Sequence, residues 1–483
     1  MTTYETVIGL EVHVELATRT KLFCGCANEF GAEPNTHVCP VCLGLPGSLP
    51  VLNRTVVEFA LLLGVALNFD VPPSSIFHRK NYFYPDMPKD FQVSQFDEPI
   101  CVDGWIDVAG ERIRIERAHM EEDTGKTTHM GGGGRIHDAD YSLVDYNRAG
   151  IPLLEIVSRP DMGSAEQARG YVSELRAILA TIGISDVKME EGSMRVDANV
   201  SLRANSTDVL GTKVEIKNMN SLRSLGRAID SEIERQSAML DSEEVIIQET
   251  RHWDEVAGIT HGMRSKEGSS DYRYFPEPDL VPVAPTDEMR KVARESVPEL
   301  PAPKRERLIS DWGIGSSDAR VLVDDRALCA YAEAAVAAGG SGKDVTNWCT
   351  GEILGYLNEH GSTPEALILR PEGLAELVAL LADDTLSRSL AKDVLEECLA
   401  TPVMPREVVE RRGLAQMNDE GELAALVDEV LGRNEDAIAQ WKAGDEKARK
   451  KKRGFLMGEL MKTSGSKGNP KVLNQLLDER LHD

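Results

Sequence analysis

No stretch of this 483-residue chain is apolar for long enough to cross a bilayer. Its densest apolar run, Phe59–Phe69 (FALLLGVALNF), is far too short. The first residues carry Glu5 and Glu11 and no basic segment ahead of an apolar core, so no signal peptide is expected and the chain is placed in the cytoplasm. Positive charge is scarce: 54 Lys and Arg stand against 80 Asp and Glu, a net charge of −26, which argues against wholesale binding of a polyanion. The deficit is uneven, because Asp445–Asp483 holds ten Lys and Arg but six Asp and Glu. That piece is at +4 and the first 444 residues at −30, so a nucleic acid would meet the C-terminal piece first. Nucleophile elbow, Walker motif and dinucleotide fingerprint are all missing. The run Gly131–Gly134 has neither a Lys-Ser/Thr after it nor an apolar strand before it, and reads as a flexible loop. Cys101, Cys329, Cys349 and Cys398 stand alone and read as small buried hydrophobes.

What is present is a globular composition, 41% apolar and 28% charged, with length for about three domains. The first 280 residues mix strands with helices. In Val7–Leu16 the residues Ile8, Leu10, Val12, Val14 and Leu16 alternate with Glu11, His13 and Glu15, a strand with one apolar and one polar face. Arg195–Arg203, Lys213–Lys217 and Arg112–Glu116 alternate likewise, which predicts an antiparallel sheet with helices on one side. Helices are expected over Ala165–Ile182 and Leu222–Leu240, the latter capped by Ser221. Seven prolines between Pro276 and Pro303 predict a break without regular structure. Beyond it the pattern is helical throughout, at Asp318–Ala338, Lys343–His360, Pro371–Ala382 and Leu386–Ala400, and a second break at Thr401–Pro405 precedes a helical tail. The expected fold class is α+β: a sheet domain over 1–295, an all-α domain over 296–403 and a small all-α tail over 404–483.

Two groups of residues carry chemistry. Cys24-Gly-Cys26 and, after twelve residues, Cys39-Pro-Val-Cys42 have zinc-ribbon-like spacing, which predicts a closed structural Zn²⁺ site. The alternatives are a disulfide pair or free thiols, and His37 is a further candidate ligand. The second group is the polar sheet face: Glu11, His13 and Glu15, then His119-Met-Glu121-Glu122-Asp123, Glu155, Glu190-Glu191 and Asp197, with Arg114, Arg203, Lys213 and Lys217. Carboxylates gathered on one surface repel each other and need a cation, for which oxygen ligands favour Mg²⁺, and the lysines would hold phosphates.

Several long runs then resemble a known family. ETVIGLEVHVEL, HRKNYFYPDMPKDFQVSQFDEPI (His78–Ile100), HMEEDTGK (His119–Lys126), YSLVDYNRAGIPLLEIVS (Tyr141–Ser158), DVKMEEGSMRVDANVSLR (Asp186–Arg203), SDYRYFPEPDL (Ser270–Leu280) and the C-terminal NPKVLNQLL (Asn469–Leu477) are similar to the B subunits of the tRNA-dependent glutamyl/aspartyl-tRNA amidotransferases. The resemblance spans the chain. It implies a cradle domain that uses ATP and Mg²⁺ to phosphorylate the side-chain carboxylate of misacylated Glu-tRNA(Gln) or Asp-tRNA(Asn), with ammonia displacing the phosphate. Position by position, Glu11, His13, Glu122, Glu155 and Asp197 match the metal site, with Glu121 close by. Histidine is an unusual Mg²⁺ ligand, so His13 has the alternatives of holding a metal-bound water or serving Mn²⁺. Lys80, Asn81, Tyr82 and Tyr84 match cradle residues near the acceptor end, while Arg195, Lys213 and Lys217 are candidate ATP-phosphate contacts on stereochemical grounds. Cys24, Cys26, Cys39 and Cys42 match the zinc-bearing branch.

No glutaminase signature occurs in the chain, so the resemblance implies two partners: the amidase (A) subunit, which releases ammonia from glutamine, and the small (C) subunit. It further implies that the tail meets the tRNA body by shape and backbone, and the basic run Lys447–Arg453 (KARKKKR) is the expected electrostatic contact. The competing reading is a non-catalytic tRNA-binding scaffold of the same complex, for which the acid cluster would be dispensable.

Overall fold

The computed structural model describes residues 4–131, 139–204, 209–263, 272–414, 417, 419–465 and 467–482; of the glycine run only Gly131 lies within them. The chain divides into two compact units, Met1–Pro301 and Ala302–Asp483. In chain order the first carries β1 (Tyr4–Glu15), α1 (Arg54–Ala66), β2 (His78–Asn81), β3 (Phe91–Ser94), β4 (Cys101–Val108), β5 (Glu111–Glu122), β6 (Lys126–Met130), β7 (Tyr141–Asp145), β8 (Pro152–Ser158) and α2 (Ala165–Ile182). It continues with β9 (Met194–Ala204), β10 (Val214–Met219), α3 (Leu222–Asp241), β11 (Thr250–Asp254), β12 (Ile259–Gly262), β13 (Phe275–Pro276) and α4 (Asp287–Ser296).

An eight-stranded sheet in the order β12-β11-β10-β9-β1-β8-β5-β4 forms the frame. Its ladders are antiparallel except β10–β11, which is parallel. The alternation of β1 is realised: Ile8, Leu10, Val12 and Val14 are buried in one continuous core with Val196, Ala198 and Val200 of β9 and Leu154 and Ile156 of β8. Helices α1, α2 and α3 supply the other half of that core. Local chemistry fixes their ends. Ser164 accepts a hydrogen bond from the Gln167 amide at 3.1 Å, and Gly183, at φ 72°, closes α2 in the left-handed conformation that glycine tolerates. Ser221 caps α3 in the same way, accepting from the Ser224 amide at 3.0 Å.

A small sheet, β13-β2-β3, packs against the end of β5. This explains the burial of β5, which alternates up to Glu116 and is buried on both faces from Ala118 to Glu122. The Gln95 side chain fastens the two sheets, its carbonyl oxygen accepting from the Met120 amide at 3.0 Å.

The proline-rich segment is more regular than expected. Helix α4 fits between Pro285 and Pro298, with Thr286 accepting from the Met289 amide at 3.2 Å and Asp287 and Glu288 in its first turn. A second helix, Pro301–Trp312, begins on a proline, where a missing N–H costs nothing. The second unit is helical as expected. Asp318–Ala338 is two helices, Ser316–Asp324 and Arg326–Ala337, because Asp325 leaves helical conformation and caps the second by accepting from the Leu328 amide at 3.0 Å. Lys343–His360 is continuous but widens into a π-turn at Cys349–Ile353. One apolar core of this unit runs from Leu308 to Leu414 and another from Leu423 to Leu481. Helix Pro405–Arg412 buries Val408 and Val409 in the former, so the change of core falls after Leu414 rather than at Thr401–Pro405. Among the described residues no helix is long and apolar enough to cross a membrane.

Leu10, 1% exposed, lies on β1 within the continuous core of the frame. Leu10→Ala is expected to cost the first unit about 3 kcal/mol in urea unfolding, against about 1 kcal/mol for the cap variant Ser221→Ala. Equal losses would mean that the sheet core is not the principal source of stability.

Candidate active site

The polar face of the frame acquires its geometry from register. Glu155 on β8 lies opposite His13 on β1 and opposite His119 on β5, and His13 lies opposite Arg195 on β9. Laterally paired residues share a face at one strand spacing, so four charged side chains from four strands form one row. The Glu155 carboxylate is 3.4 Å from Nε2 of both His13 and His119, and Glu121 is 3.7 Å from each of the two imidazoles. Burial opposes charge on both imidazoles. The carboxylates of Glu155 and Glu121 outweigh it, raising His13 above the usual histidine range and His119 to about 9. Burial also opposes charge on Glu155, but His119 and His13 hold its carboxyl well below the usual range.

One register step away, Glu11 faces Asp197. These two and Glu215 of β10 bring carboxylate oxygens within 4.8 Å of one another. Asn199 donates to Glu11 at 3.0 Å, and the Lys217 ammonium pairs with Asp197 and, at 3.1 Å, with Glu215. Burial works against the Lys217 charge, yet these carboxylates raise its pKa.

Both clusters border a cavity of about 470 Å³, whose wall includes His13, Glu121, Arg195, Asp197, Lys217 and Lys80. Lys80 reaches in from β2, with its charge opposed by burial and sustained by Glu121. Arg195 pairs with Asp123 at 3.0 Å.

Measured against the sequence reading, His13, Glu155, Asp197, Lys80, Arg195 and Lys217 come together at this cavity or its edge, and Glu11 joins Asp197. Tyr82 stands beside the small sheet with its ring 6.3 Å from Tyr272, and burial pushes its hydroxyl up. Lys213 is exposed ahead of β10 and outside the cavity wall. Glu122 is corrected. Alternation along β5 turns Glu121 to the His13 face and Glu122 away from it, where it pairs with Lys89 and accepts from the Val93 amide at 2.8 Å. The expected single metal set is therefore two groups, His13–Glu121–Glu155 and Glu11–Asp197–Glu215. Sequence reasoning placed His119 on the polar face without a role of its own and did not name Glu215. The signal was there in both cases, since His119 and Glu121 are two apart on one strand and Glu215 stands between Lys213 and Lys217 on another.

The mixed group, one imidazole and two carboxylates within 4.8 Å, fits a divalent cation that completes its shell with water, Mg²⁺ by its oxygens and Mn²⁺ by its nitrogen. The four thiols of Cys24, Cys26, Cys39 and Cys42 lie within 4.8 Å of one another and none is in a disulfide, the closed sulfur set that suits Zn²⁺. A hydrogen bond from the Cys24 thiol holds Cys42 down at about 5, while Cys24 itself is pushed up. His37 is outside this group; its carbonyl accepts from the buried Lys21 ammonium at 2.8 Å.

Residues 6–291 match the family model described as the GatB/GatE catalytic domain, and residues 330–481 the GatB domain. A protein of Thermosynechococcus vestitus, named as the B subunit of aspartyl/glutamyl-tRNA(Asn/Gln) amidotransferase, is 50% identical over 99% of this chain and 97% of its own length. Proteins of the same name from Synechococcus elongatus and Caldanaerobacter subterraneus are each 48% identical over 99% of this chain and over 98% and 99% of their own. Matched in both units and end to end with these relatives, the chain belongs to the family of aspartyl/glutamyl-tRNA(Asn/Gln) amidotransferase B subunits.

Proposed function

We propose that this chain is the kinase and transamidase subunit of a glutamine-dependent aminoacyl-tRNA amidotransferase, acting on Glu-tRNA(Gln), Asp-tRNA(Asn) or both. The observation that carries this reading is the convergence of carboxylates and cations on one cavity beside the sheet. The substrate's side-chain carboxylate oxygen bonds to the γ-phosphorus of ATP and ADP leaves. Ammonia then attacks the acyl carbon, the carbon–oxygen bond to phosphate breaks, and the nitrogen gives up a proton as the amide forms. A divalent cation held by His13, Glu121 and Glu155 would neutralise phosphate oxygens. Lys80, Lys217 and Arg195 supply fixed positive charge where negative charge gathers. The ammonia comes from glutamine through the amidase partner, with the small third partner completing the complex in the cytoplasm. Three domains follow the three apolar cores, the sheet domain, the helical domain and the tail. Zn²⁺ on Cys24, Cys26, Cys39 and Cys42 pins the loop that follows β1.

The tail reading rests on an exposed helix face. Lys447–Arg453 lies in helix Glu446–Thr463, where Arg453 pairs with Asp478 at 2.6 Å and Arg449 sits over the Trp441 ring at 5.4 Å. Lys447, Lys450 and Lys451 are exposed, the last two standing three and four residues after the first on one helix face, placed to meet tRNA phosphates.

Three outcomes are expected. With the assembled complex, Glu-tRNA(Gln), Mg-ATP and ammonium chloride, Glu121→Gln should lower amide formation on the order of 100-fold while tRNA stays bound. Wild-type rates in that variant would favour the scaffold reading. Replacing Lys447, Lys450 and Lys451 by Ala should weaken tRNA binding and make its log–log salt dependence shallower, by about 1 for each phosphate that loses its lysine; an unchanged slope removes the helix from the interface. Metal analysis should find zinc in wild type and none in Cys39→Ser, with a melting temperature lower by about 5 °C. A zinc-free wild-type protein of equal stability would leave the cysteines as plain thiols.

A further inference from the structure

Lysine is among the residues least often buried whole, and Lys21 is 0% exposed. A charge taken out of water needs an opposite one, normally a carboxylate. The Lys21 ammonium instead donates to two main-chain carbonyls, His37 at 2.8 Å and Tyr146 at 3.2 Å, and among the described residues no carboxylate pairs with it. It borders a second cavity, of about 320 Å³, whose wall also holds Cys24, Cys42 and Glu122. Glu122 is already matched by Lys89, which leaves the thiols. A hydrogen bond from the Cys24 thiol and, after it, the Lys21 charge hold Cys42 below its ordinary range.

The same residue grips both cysteine pairs and the turn that follows β7. Its amide donates to the Cys26 carbonyl at 3.0 Å, and its ammonium holds the chain two residues ahead of Cys39. Its stem and Cys42 meet at Gly150, where a Cβ would lie 3.5 Å from Lys21 Cδ and 3.6 Å from Cys42 Cβ. Beside the Tyr146 carbonyl, the Tyr146 amide donates to the Asn35 side chain at 2.8 Å, and Asn147 accepts from the His37 amide at 2.8 Å. Arg148 comes next, in the wall of the 470 Å³ cavity. It donates to the Thr124 and Gly125 carbonyls at 3.0 and 2.9 Å and stands 3.6 Å from Asp123, the partner of Arg195.

We propose that Lys21 is a positioning residue with two attachments: its ammonium is the buried counter-charge of the metal-loaded thiolates, and its bond to Tyr146 lets that site hold the turn that sets Arg148 in the cavity wall. The inference rests on the Zn²⁺ reading of the four cysteines and adds what balances their charge and what they hold in place. Four thiolates around a divalent cation leave an excess of negative charge, which a fixed, buried ammonium offsets. For hydrogen bonding alone a neutral donor would serve two carbonyls at a lower cost of desolvation.

The test uses the assembled complex, with zinc itself as the probe. Zinc affinity is measured by competition with a chromogenic chelator in wild type, Lys21→Gln and Lys21→Arg, and folding is checked by melting. Glutamine keeps an N–H donor and loses the charge; arginine keeps the charge, and the adjoining cavity has room for it. Lys21→Gln should hold zinc about tenfold more weakly, and Lys21→Arg as wild type does. Stripping zinc from wild type should also speed amide hydrogen exchange several-fold in residues 144–150 while leaving helix α3 unchanged. Equal zinc affinity of Lys21→Gln and wild type overturns the inference, as does equal weakening in Lys21→Arg or unchanged exchange in the turn. Should Lys21→Gln fail to fold, the exchange measurement on wild type still decides. Metal analysis of wild type comes first: a zinc-free chain overturns the zinc reading and the inference with it, whereas a zinc-bearing chain indifferent to Lys21→Gln overturns the inference alone.

Discussion

The position of Glu155 between two imidazoles is the constraint on which the site depends, and it is a matter of strand register. Because Glu155 is level with His13 on one side and His119 on the other, a slip of one residue in either ladder would turn a histidine to the helix-covered face. The apolar residues of the same strands prevent that slip. Val12 and Val14 flank His13, and Leu154 and Ile156 flank Glu155, all in the core that α2 and α3 cover. The energy that fixes the polar face therefore comes from the opposite face, where burial of each aliphatic side chain contributes about 1.5–3 kcal/mol. Polar side chains facing one another could not hold this geometry alone, since their mutual attraction does little more than offset their desolvation.

That desolvation explains why so many cavity charges already have partners. Lys217 is paired with Asp197 and Glu215, Arg195 with Asp123, and Glu155 with His13 and His119. An unpaired charge at this depth would neutralise by proton exchange or unfold its surroundings. On the proposed function, such pairs would let a negatively charged substrate bind by exchange, a phosphate standing in for a carboxylate beside Lys217 or Arg195, while His13, Glu121 and Glu155 would hold a divalent cation. The wall's charges then need little reorganisation, which is the condition under which fixed charges lower a barrier most.

Legibility in the sequence followed the range of the interactions. Helix α2 was readable to the residue, because Ser164, an amphipathic run and Gly183 state its start, face and end locally. Four of the eight strands of the frame, β1, β5, β9 and β10, were readable from period-two alternation, and the four cysteines from their spacing. What was missed had a non-local cause or a stronger local signal. The small sheet is made of strands of four, four and two residues whose pairing joins His78 and Arg79 to Pro276 and Phe275, far along the chain. Helix α4 was hidden because prolines marked its surroundings as irregular, although Thr286, Asp287 and Glu288 spell a helix start. Glu122 came from the resemblance rather than from the face pattern, and the face pattern of β5 could not have chosen between it and Glu121. Alternation counted from Arg112 along β5 loses phase at the irregularity between Ile115 and Arg117, so only the ladder to β8 decides which of two adjacent acids faces His13.

The distribution of charge gives the two units different tasks. Each cavity cation lies beside carboxylates that cancel its field beyond a few ångströms, and the chain as a whole carries −26. A polyanion therefore feels no long-range pull toward the cavity, and at physiological salt, where screening acts over about 8 Å, the acidic surface repels it only weakly. Attraction at a distance has to come from charge that is exposed and unmatched, and the helix Glu446–Thr463 offers it at Lys447, Lys450 and Lys451. Capture of RNA would then depend more steeply on salt than the chemical step, because charges that already have close partners present little net field for ions to screen. Such a division also favours specificity. An arbitrary polyanion drawn to the tail gains nothing at the cavity, where only a ligand that brings its own carboxylate and phosphates can replace the partners already in place.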